Sequence, residues 1–390
     1  MLEVGTGDAV VTRIAAGAVE RIGGPGRVTL ERDGDKLEHE TETRDHRDAF
    51  DAAHRLMDEA ECLSDIAAIG HRIVHGGLRF RSSTVIDANV IGAIREVSDL
   101  APLHSTPALA VIEAAGAAFG PAVPMVAAFD TAFFADLPDV ASRYAIPKEL
   151  SERYGIRRFG FHGLAHDDMI RRFQTLRPEV PRPRLVTLQL GNGCSATASF
   201  EGRPVDTSMG YTPLEGLIMG TRGGDLDPAL PLRLQALTGM SAQDVEDLLN
   251  SRSGLLGLSG RSADMRDLLE AAASGDADCA LAVDAFCART TKYVGAYTAL
   301  LGGIDALIFG GGIGEHSPEI RRRICRGMQW AGLTLDEDAN QIAAGPEVHI
   351  SANASRIDVW VMHVDEAAVI ARETVALLMG REEQPDATDR

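Results

Sequence analysis

One glycine-rich segment, residues 189–228, constrains the fold of this chain more than any other part of the sequence. It begins Q-L-G-N-G-C-S-A-T-A-S, which is typical of a strand, a tight turn and a second strand. A turn of this kind presents backbone N–H groups to an anion. Further along, Arg222 stands among small residues, where backbone approaches closely and a guanidinium binds carboxylate or phosphate. The segment therefore predicts chemistry on a phosphate group.

A similar order of elements, an apolar strand followed by a turn and then a helix, recurs along the chain. Alternating strands and helices of this type indicate an α/β fold with two lobes and a cleft between them. Strands are predicted at residues 10–23, 27–32, 66–74, 124–129, 184–190, 306–309 and 359–363, and helices at 44–60, 108–118, 280–301 and 366–379.

Charge and cysteine content exclude several classes of protein. The net charge is −19, from 38 basic and 57 acidic residues. A protein that binds nucleic acid or an anionic membrane needs a basic face, so neither is expected as the main partner. A small anionic substrate stays possible, because the local arginines govern a site. The 5 cysteines are scattered, with no pair at metal-ligand spacing, which indicates reduced thiols. No apolar run is long enough to cross a bilayer and the N-terminus does not resemble a signal peptide, so we predict a cytoplasmic protein.

Charged residues in apolar surroundings are the first candidates for a site. Arg72 lies near the end of a predicted buried strand, where it would clamp a carboxylate or phosphate or form a structural ion pair. His104 and His162 lie in predicted tight apolar loops. Each would be either a structural residue or part of a clamp around a transferred phosphoryl group. Asp130 ends a strand, where α/β folds bind ligands; it would handle a proton, position Mg²⁺ or cap a helix.

Two further places are compatible with a nucleotide and a metal ion. The glycine run at residues 310–316 follows a strand, where it would pack against a base or ribose or would form a plain turn. Glu366 opens a predicted helix, where its carboxylate would bind Mg²⁺ or complement the helix dipole. Asp264 and Arg266 place a carboxylate near a cation, a pattern that does not indicate a particular function by itself.

An ordered series of motifs resembles the acetokinase family over roughly residues 15–378. The family has the actin/Hsp70/sugar-kinase (ribonuclease H-like) fold, so the resemblance implies an N-terminal lobe, 1–134 plus 366–390, closed by the C-terminal helix, and a nucleotide-binding lobe, 135–365. The motifs are G-H-R-I-V-H-G-G at 70–77, A-P-L-H at 101–104, F-D-T-A-F at 129–133, R-R-F-G-F-H-G at 157–163, L-G-N-G at 190–193, T-S-M-G-Y-T-P-L-E-G-L-I-M-G-T-R at 207–222, D-M-R-D-L at 264–268, G-I-G-E at 312–315 and D-E-A-A-V-I-A-R-E-T at 365–374.

The resemblance implies a cytoplasmic homodimer that transfers a phosphoryl group in line between ATP and acetate, with Mg²⁺ or Mn²⁺, giving acetyl phosphate reversibly. A propionate or butyrate kinase and an inactive nucleotide-binding homologue stay open as alternatives. Acetate is already ionised at pH 7, since its pKa is near that of a side-chain carboxylate, about 4. No general base is needed, and we expect Asp130 to position Mg²⁺ or an arginine.

The resemblance also implies roles for individual residues. Asp130 resembles the catalytic acid, and His162 and Arg222 resemble the groups that stabilise the transition state. Substrate-binding residues are Arg72, for the carboxylate, and a methyl pocket of Val74, Leu103, Phe161 and Pro213. Glu366 resembles the metal ligand. ATP would lie on Gln189, Leu190, Gly191, Asn192, Gly193, Asp264, Met265, Arg266, Gly312, Ile313, Gly314, Glu315 and His316.

The sequence departs from the family pattern at a few positions near these sites. Gln189 stands where the family has histidine, and its side chain donates a hydrogen bond without charge. Phe134 replaces a common histidine, His316 replaces asparagine, and Leu164-Ala165 replaces Thr-Ser. These differences affect the expected turnover and nucleotide preference.

The start of the chain also departs from the pattern. Acetokinases open with a strand and the loop N-x-G-S-S-S-x-K, whereas this sequence begins at M-L-E-V-G, which resembles the end of the first hairpin. Two explanations are open: the coding start lies upstream of Met1, or a short form is real and has lost kinase activity. The intact mass of the native protein distinguishes them.

Overall fold

The computed structural model describes residues 1–5 and 11–382, without the side chains of residues 102, 103, 381 and 382. Its strands are β1 (Leu2–Val4), β2 (Val11–Arg13), β3 (Ala15–Glu20), β4 (Gly24–Arg32), β5 (Asp35–Thr43), β6 (Ile69–Ile73), β7 (Thr84–Val85), β8 (Met125–Phe129), β9 (Arg184–Leu190), β10 (Cys194–Phe200), β11 (Arg203–Thr207), β12 (Ala306–Gly310), β13 (Glu347–His349) and β14 (Asp358–Met362).

The α-helices are α1 (His46–Glu59), α2 (Ala88–Glu96), α3 (Pro102–Phe119), α4 (Asp139–Ser142), α5 (Lys148–Tyr154), α6 (Gly163–Leu176), α7 (Leu230–Thr238), α8 (Ala242–Ser251), α9 (Gly254–Ser259), α10 (Met265–Ala273), α11 (Ala277–Leu300), α12 (Gly311–His316), α13 (Pro318–Arg326), α14 (Glu337–Ile342) and α15 (Glu366–Glu382). Contacts between backbone positions divide the chain into two compact units. The first unit is Met1–Phe133 with the segment from Asp365 onwards, and the second is Phe134–Val364.

The first unit contains an antiparallel meander, β3-β4-β5, that packs on helix α1. Asp45 begins the helix, because its carboxylate accepts hydrogen bonds from the backbone N–H groups of Arg47 and Asp48. Leu56 on the helix packs with Val28 and Leu30 of β4 in a buried cluster. The amphipathic pattern of residues 44–60 therefore predicts this helix correctly.

A second sheet of this unit carries candidate site residues at its end. Strand β6 runs parallel to β8, and β7 pairs antiparallel with the other edge of β8. The run M-V-A-A-F is apolar throughout because β8 is largely buried: Ala127 and Phe129 pack with Leu109 and Ile112 of α3, and α15 also contacts the strand. Gly70 lets α15 approach β6, since a Cβ at that position would lie 2.3 Å from Cγ2 of Ile370.

The second unit is built on a six-stranded mixed sheet of order β11-β10-β9-β12-β14-β13. Its strands β9, β12 and β14 are parallel, so their carboxyl ends meet at one edge, where α/β folds bind ligands. Gln189 at the end of β9 is directly paired with Gly310 at the end of β12. This register places the two glycine-rich segments of the unit side by side.

Most predicted elements are confirmed, and the differences have local causes. The strand predicted at residues 184–190 is observed as β9 with the same bounds. The strand predicted at residues 66–74 is observed as β6, which is shorter, Ile69–Ile73. Helix α3 starts six residues before the predicted residue 108, since Pro102 in its first turn suits a helix start. The glycine run after β12, for which the sequence leaves a plain turn open, forms α12. In the part of the chain that the structure describes, no helix combines the length and apolarity that crossing a membrane requires.

Candidate active site

In the first unit, Arg72 lies between two carboxylates. It is on β6, and Asp130 directly follows the parallel neighbour β8, so both residues are at the carboxyl ends of adjacent strands. Nε and Nη2 of Arg72 donate to the two oxygens of Asp130 at 3.2 and 2.8 Å. Nη1 forms an ion pair with Oε2 of Glu366, the first residue of α15, at 2.7 Å. Three residues far apart in sequence are thus brought together.

The charges of Arg72 and its two carboxylates act on one another. Asp130 is fully buried, and its N–H donates to the carbonyl oxygen of Ile73 at 3.0 Å. Burial raises the pKa of Glu366 to about 7; the charge of Arg72 opposes this rise and that of Asp130 adds to it. Burial lowers the pKa of Arg72, but the two carboxylates outweigh it and leave that pKa above its ordinary value.

The remaining predicted site residues of the first unit are Val74, Leu103 and His104. Val74 follows β6 and is half-buried. Leu103 and His104 are in the first turn of α3, and the side chain of Leu103 lies outside the described residues. The hydroxyl of Thr131 accepts a hydrogen bond from the N–H of Gly76 at 2.9 Å, which ties the segment after β8 to the segment after β6.

In the second unit, β9 and β10 form a hairpin around the turn that opens the glycine-rich segment. Leu190 pairs with Cys194, and the N–H of Gly191 donates to the carbonyl oxygen of Gly193 at 3.1 Å, so three residues make the turn. The carbonyl oxygen of Asn192 accepts from the N–H of Gly220 at 2.9 Å. The predicted strand–turn–strand pattern is confirmed, and the turn is fastened to the loop that carries Arg222.

Arg222 is on a loop that is held from both sides. The carbonyl oxygen of Arg222 accepts from the N–H of Met219 at 3.0 Å, which closes the loop. Gly254, at φ +62, packs against it, since a Cβ there would lie 2.3 Å from the carbonyl oxygen of Met219. Burial lowers the pKa of Arg222, but an arginine stays charged at neutral pH. The loop thus holds a half-buried cation in place.

His162 begins helix α6 in the left-handed backbone region, at φ +58 and ψ +29. Gly160, at φ +73, precedes it by two residues and lies against Phe134, since a Cβ there would be 2.5 Å from Cδ2 of that ring. Phe161 between them is buried, with 1% exposed. The tight turn F-G-F-H-G thereby directs an imidazole towards the hairpin of β9 and β10.

The imidazole of His162 and the guanidinium of Arg222 meet at Gly193. A Cβ built on Gly193 would lie 3.4 Å from Nε2 of His162 and 3.7 Å from Nη1 of Arg222. Nη1 of Arg222 also donates to the carbonyl oxygen of Pro213 at 3.4 Å, and Pro213 is buried. A ring nitrogen of His162 and a guanidinium nitrogen of Arg222 thus approach one glycine of a turn predicted to bind an anion, a place that suits a phosphoryl group.

The predicted nucleotide residues at the ends of β9 and β12 adjoin each other. Gly311, at φ +76, lies against β9, since a Cβ there would be 2.7 Å from the carbonyl oxygen of Leu190. Oε1 of Gln189 is buried and accepts no hydrogen bond from the described residues. Gly312 and His316 of α12 are exposed.

Glu315 holds α12 in place. Oε1 of its carboxylate accepts from the N–H of Gly311 at 3.0 Å, and Oε2 pairs with Nδ1 of His363 at 2.8 Å. Arg321, which is fully buried, donates from Nη1 to the carbonyl oxygens of Gly314 at 2.9 Å and Glu315 at 2.8 Å. Sequence reasoning misses Arg321, because it stands in the run R-R-R and only burial distinguishes it from its neighbours.

Asp264, Met265 and Arg266 lie on a different element, at the start of α10, which packs on α11. The carboxylate of Asp264 accepts from the N–H of Arg266 at 2.8 Å and pairs with its guanidinium at 2.6 Å. Hydrogen bonds from Arg266 lower the pKa of Asp264 to about 2. The Asp264–Arg266 pair is thus a helix cap on the surface of the unit.

A buried row of side chains behind His162 also escapes sequence reasoning. Nδ1 of His162 is 2.9 Å from Oγ of Ser195, and that Oγ is 2.8 Å from Nε2 of His166. Nδ1 of His166 is 2.7 Å from Oγ1 of Thr187. The spacing of His162 and His166 places them one helical turn apart, but serine and threonine within strands carry no comparable signal.

Comparisons with known proteins test the family resemblance of the chain. The model of the acetokinase family matches residues 5–372. The acetate kinase of Solibacter usitatus is 47% identical over 378 residues, which cover 94% of this chain and 91% of that protein. Among solved structures, the acetate kinase of Porphyromonas gingivalis has a TM-score of 0.86 at 35% identity, covering 96% of this chain and 95% of that one.

A propionate kinase from Francisella tularensis is equally similar in fold, with a TM-score of 0.87 at 35% identity over 92% of both chains. These high scores confirm the two-lobed actin/sugar-kinase type of fold. The family match covers nearly the whole sequence. The charged residues that the sequence predicts for the site come together within each unit. The chain belongs to the acetokinase family.

Proposed function

We propose that this protein is an acetate kinase that transfers the terminal phosphoryl group of ATP to acetate, reversibly, giving acetyl phosphate. The observation that carries the proposal is the meeting of His162 and Arg222 at the backbone of Gly193. Phosphoryl transfer requires little covalent help from the protein and depends on positioned donors around the equatorial oxygens. The family match and the similarity to the acetate kinase of Solibacter usitatus support the same reaction.

The first unit would bind the carboxylate substrate. Arg72 keeps 35% of its side chain exposed although it contacts two carboxylates, so a substrate can reach its guanidinium. Asp130 would hold that guanidinium in a fixed orientation through its two hydrogen bonds. Val74 and Leu103 of this unit would contact the methyl group of acetate.

The second unit would bind the nucleotide. Gln189 to Gly193 and Gly312 to His316 lie at the carboxyl ends of adjacent parallel strands, a usual place for ligands in α/β folds. Asp264 to Arg266 would contribute from α10, with the exposed guanidinium of Arg266 available to a base or ribose. His162 and Arg222 would stabilise charge on the transferred phosphoryl group.

Mg²⁺ is the proposed metal, and the residues present suit it. Mg²⁺ prefers oxygen ligands and is usually held by one or two carboxylates together with substrate phosphates. Glu366 offers such a carboxylate, beside that of Asp130, whereas the described residues contain no group of three or more His, Cys, Asp or Glu side chains arranged as a metal site. When bound, Mg²⁺ would neutralise charge on the phosphates. Mn²⁺ would suit the same oxygen ligands.

A hydroxamate assay, which traps acyl phosphates, tests the proposal. Purified protein, ATP and Mg²⁺ are incubated with acetate, propionate or butyrate, and we expect kcat/KM to be largest for acetate. A hydrophobic pocket changes kcat/KM by only roughly 10–200-fold between substrates that differ by one methylene, so propionate should react more slowly but measurably. A larger kcat/KM for propionate would make the protein a propionate kinase. Thermal stabilisation by ATP-Mg without acyl phosphate would indicate an inactive nucleotide-binding homologue.

The proposed enzyme is a cytoplasmic homodimer, as the resemblance implies. Sedimentation equilibrium with the intact protein measures the oligomeric state, for which a monomer of 41.6 kDa is the reference mass. A single species of that mass would contradict the dimer.

A further inference from the structure

A row of three hydrogen bonds connects His162 with the interior of the second unit. It passes from His162 through Ser195 and His166 to Thr187, with separations of 2.9, 2.8 and 2.7 Å. Ser195, His166 and Thr187 are each 0% exposed. Buried polar groups are nearly always hydrogen-bonded, so the direction of each bond in this row follows from counting donors and acceptors.

His166 is a neutral imidazole in this row. It is enclosed on every side, and burial lowers its pKa well below the ordinary value, with the nearby His162 adding to the effect. A neutral imidazole has one N–H donor and one acceptor nitrogen. Because both nitrogens of His166 contact hydroxyl groups, it must donate to one of them and accept from the other.

Thr187 decides between the two possible directions. Its Oγ1 contacts Nδ1 of His166 and has no other hydrogen-bond partner among the described residues. If Nδ1 of His166 carried the proton, the hydroxyl hydrogen of Thr187 would be buried with no acceptor, at a cost of about 1–3 kcal/mol. If Thr187 donates to Nδ1, every donor in the row has an acceptor. The second direction is therefore the stable one.

We propose that Thr187, His166 and Ser195 are positioning residues that hold the imidazole of His162, when it is uncharged, in the tautomer with its proton on Nε2. Thr187 donates to Nδ1 of His166, Nε2–H of His166 donates to Oγ of Ser195, and Ser195 donates to Nδ1 of His162. The remaining proton of His162 is then on Nε2, the nitrogen that approaches Gly193 on the side where Arg222 lies.

This inference rests on the proposed function and deepens it, since it explains how an uncharged His162 would donate to a phosphoryl oxygen. The opposite direction would leave Nε2 of a neutral His162 as an acceptor, which repels an anionic oxygen. The buried row therefore acts on reactivity through His162 without itself touching a substrate.

The direct test is ¹⁵N NMR of histidine-labelled full-length protein at about pH 8, above the usual titration range of histidine. We expect His162 to show a bare Nδ1 and a protonated Nε2, assigned by loss of its signals in His162→Gln. A protonated Nδ1 on His162 in the native protein would overturn the proposal. The measurement needs no turnover, so its result is independent of whether the protein forms acyl phosphate.

Variants test the coupling to turnover. Ser195→Ala and Thr187→Val should each give a mixture of His162 tautomers and lower kcat by roughly 10–100-fold, as for other outer positioning groups, with KM for ATP little changed. Thr187→Ser keeps the hydroxyl and should restore the native signals and rate. Ser199→Ala is the matched control, because Ser199 is also buried on β10 and its hydroxyl has no hydrogen-bond partner among the described residues. Native tautomer and native kcat in folded Ser195→Ala would contradict the inference.

Discussion

Asp130 illustrates how a single contact changes the interpretation of a residue. Its position after a strand is compatible with proton transfer, metal binding or helix capping, whereas the structure places both of its oxygens on Arg72. A carboxylate substrate that is ionised at neutral pH needs no base to activate it. These two observations favour a positioning role for Asp130.

We predict that Asp130→Asn lowers kcat/KM for acetate by roughly 100-fold, because Arg72 loses a charge-assisted partner that orients it. The pH–rate profile should keep its shape and drop equally at every pH. Steady-state kinetics between about pH 6 and 9 measure both effects. Loss of one limb of the profile would instead assign proton transfer to Asp130. Asp139→Asn, a change at an exposed carboxylate, serves as the control.

Arg222 provides a second prediction for a single side chain. Arg222→Lys keeps the charge but loses the planar fork of donors, so we expect kcat to fall roughly 100- to 1,000-fold with a smaller change in KM for ATP. Arg203→Lys, at an exposed position of β11, should leave both parameters unchanged. An unaltered kcat in Arg222→Lys would remove Arg222 from the proposed transition-state contacts.

Between elements, the glycines of the segment 189–228 are needed for the close approach of two loops. A Cβ at Gly220 would lie 2.1 Å from the side-chain Oδ1 of Asn192 and 3.4 Å from its carbonyl oxygen, so the loop that carries Arg222 approaches the β9–β10 turn closely at this glycine. The sequence predicts close backbone approach in this segment. It does not reveal that Asn192 is the neighbour, because the contact joins residues of different loops.

Gly254, at φ +62, is a glycine where a side chain would meet backbone, since its Cβ would lie 2.3 Å from the carbonyl oxygen of Met219 and 2.7 Å from that of Arg222. Gly254→Ala should therefore displace the loop that carries Arg222, lowering the free energy of unfolding by about 1–3 kcal/mol through overpacking and reducing kcat as Arg222 moves. Gly223→Ala is a suitable control, since the nearest atoms to its Cβ would be 3.8 Å away, at ordinary contact distance. We expect that variant to stay within about 0.5 kcal/mol of the native protein. Urea unfolding and the hydroxamate assay measure the two effects, and equal behaviour of the two variants would contradict the explanation.

The stability of the molecule as a whole should depend on the protonation of His71. It is buried on β6, and burial lowers its pKa from 6.5 to about 4. The unfolded chain therefore takes up the proton first as pH falls, so this residue's stabilising contribution is complete above pH 6.5 and decreases towards pH 4. The total loss from a shift of this size is roughly 3 kcal/mol.

His71→Gln, which cannot titrate, should remove this dependence. The difference in unfolding free energy between variant and native protein should move in favour of the variant as pH falls from about 7 to 4. Urea unfolding followed by circular dichroism measures it across that range. His39→Gln provides the comparison at a half-exposed histidine. A difference that stays constant with pH would show that His71 is not the group responsible.

The sequence alone determines the class of fold, the order of the main strands and helices, and the family, because periodicity, glycine turns and ordered motifs are local patterns along the chain. It also predicts Arg72, Asp130, His162 and Arg222 as charged residues in unusual surroundings. Only the tertiary structure shows that Arg72 lies between Asp130 and Glu366, and that His162 and Arg222 meet at Gly193. It alone reveals the row from Thr187 to His162, since strand register, helix packing and burial decide which distant side chains hydrogen-bond and in which direction.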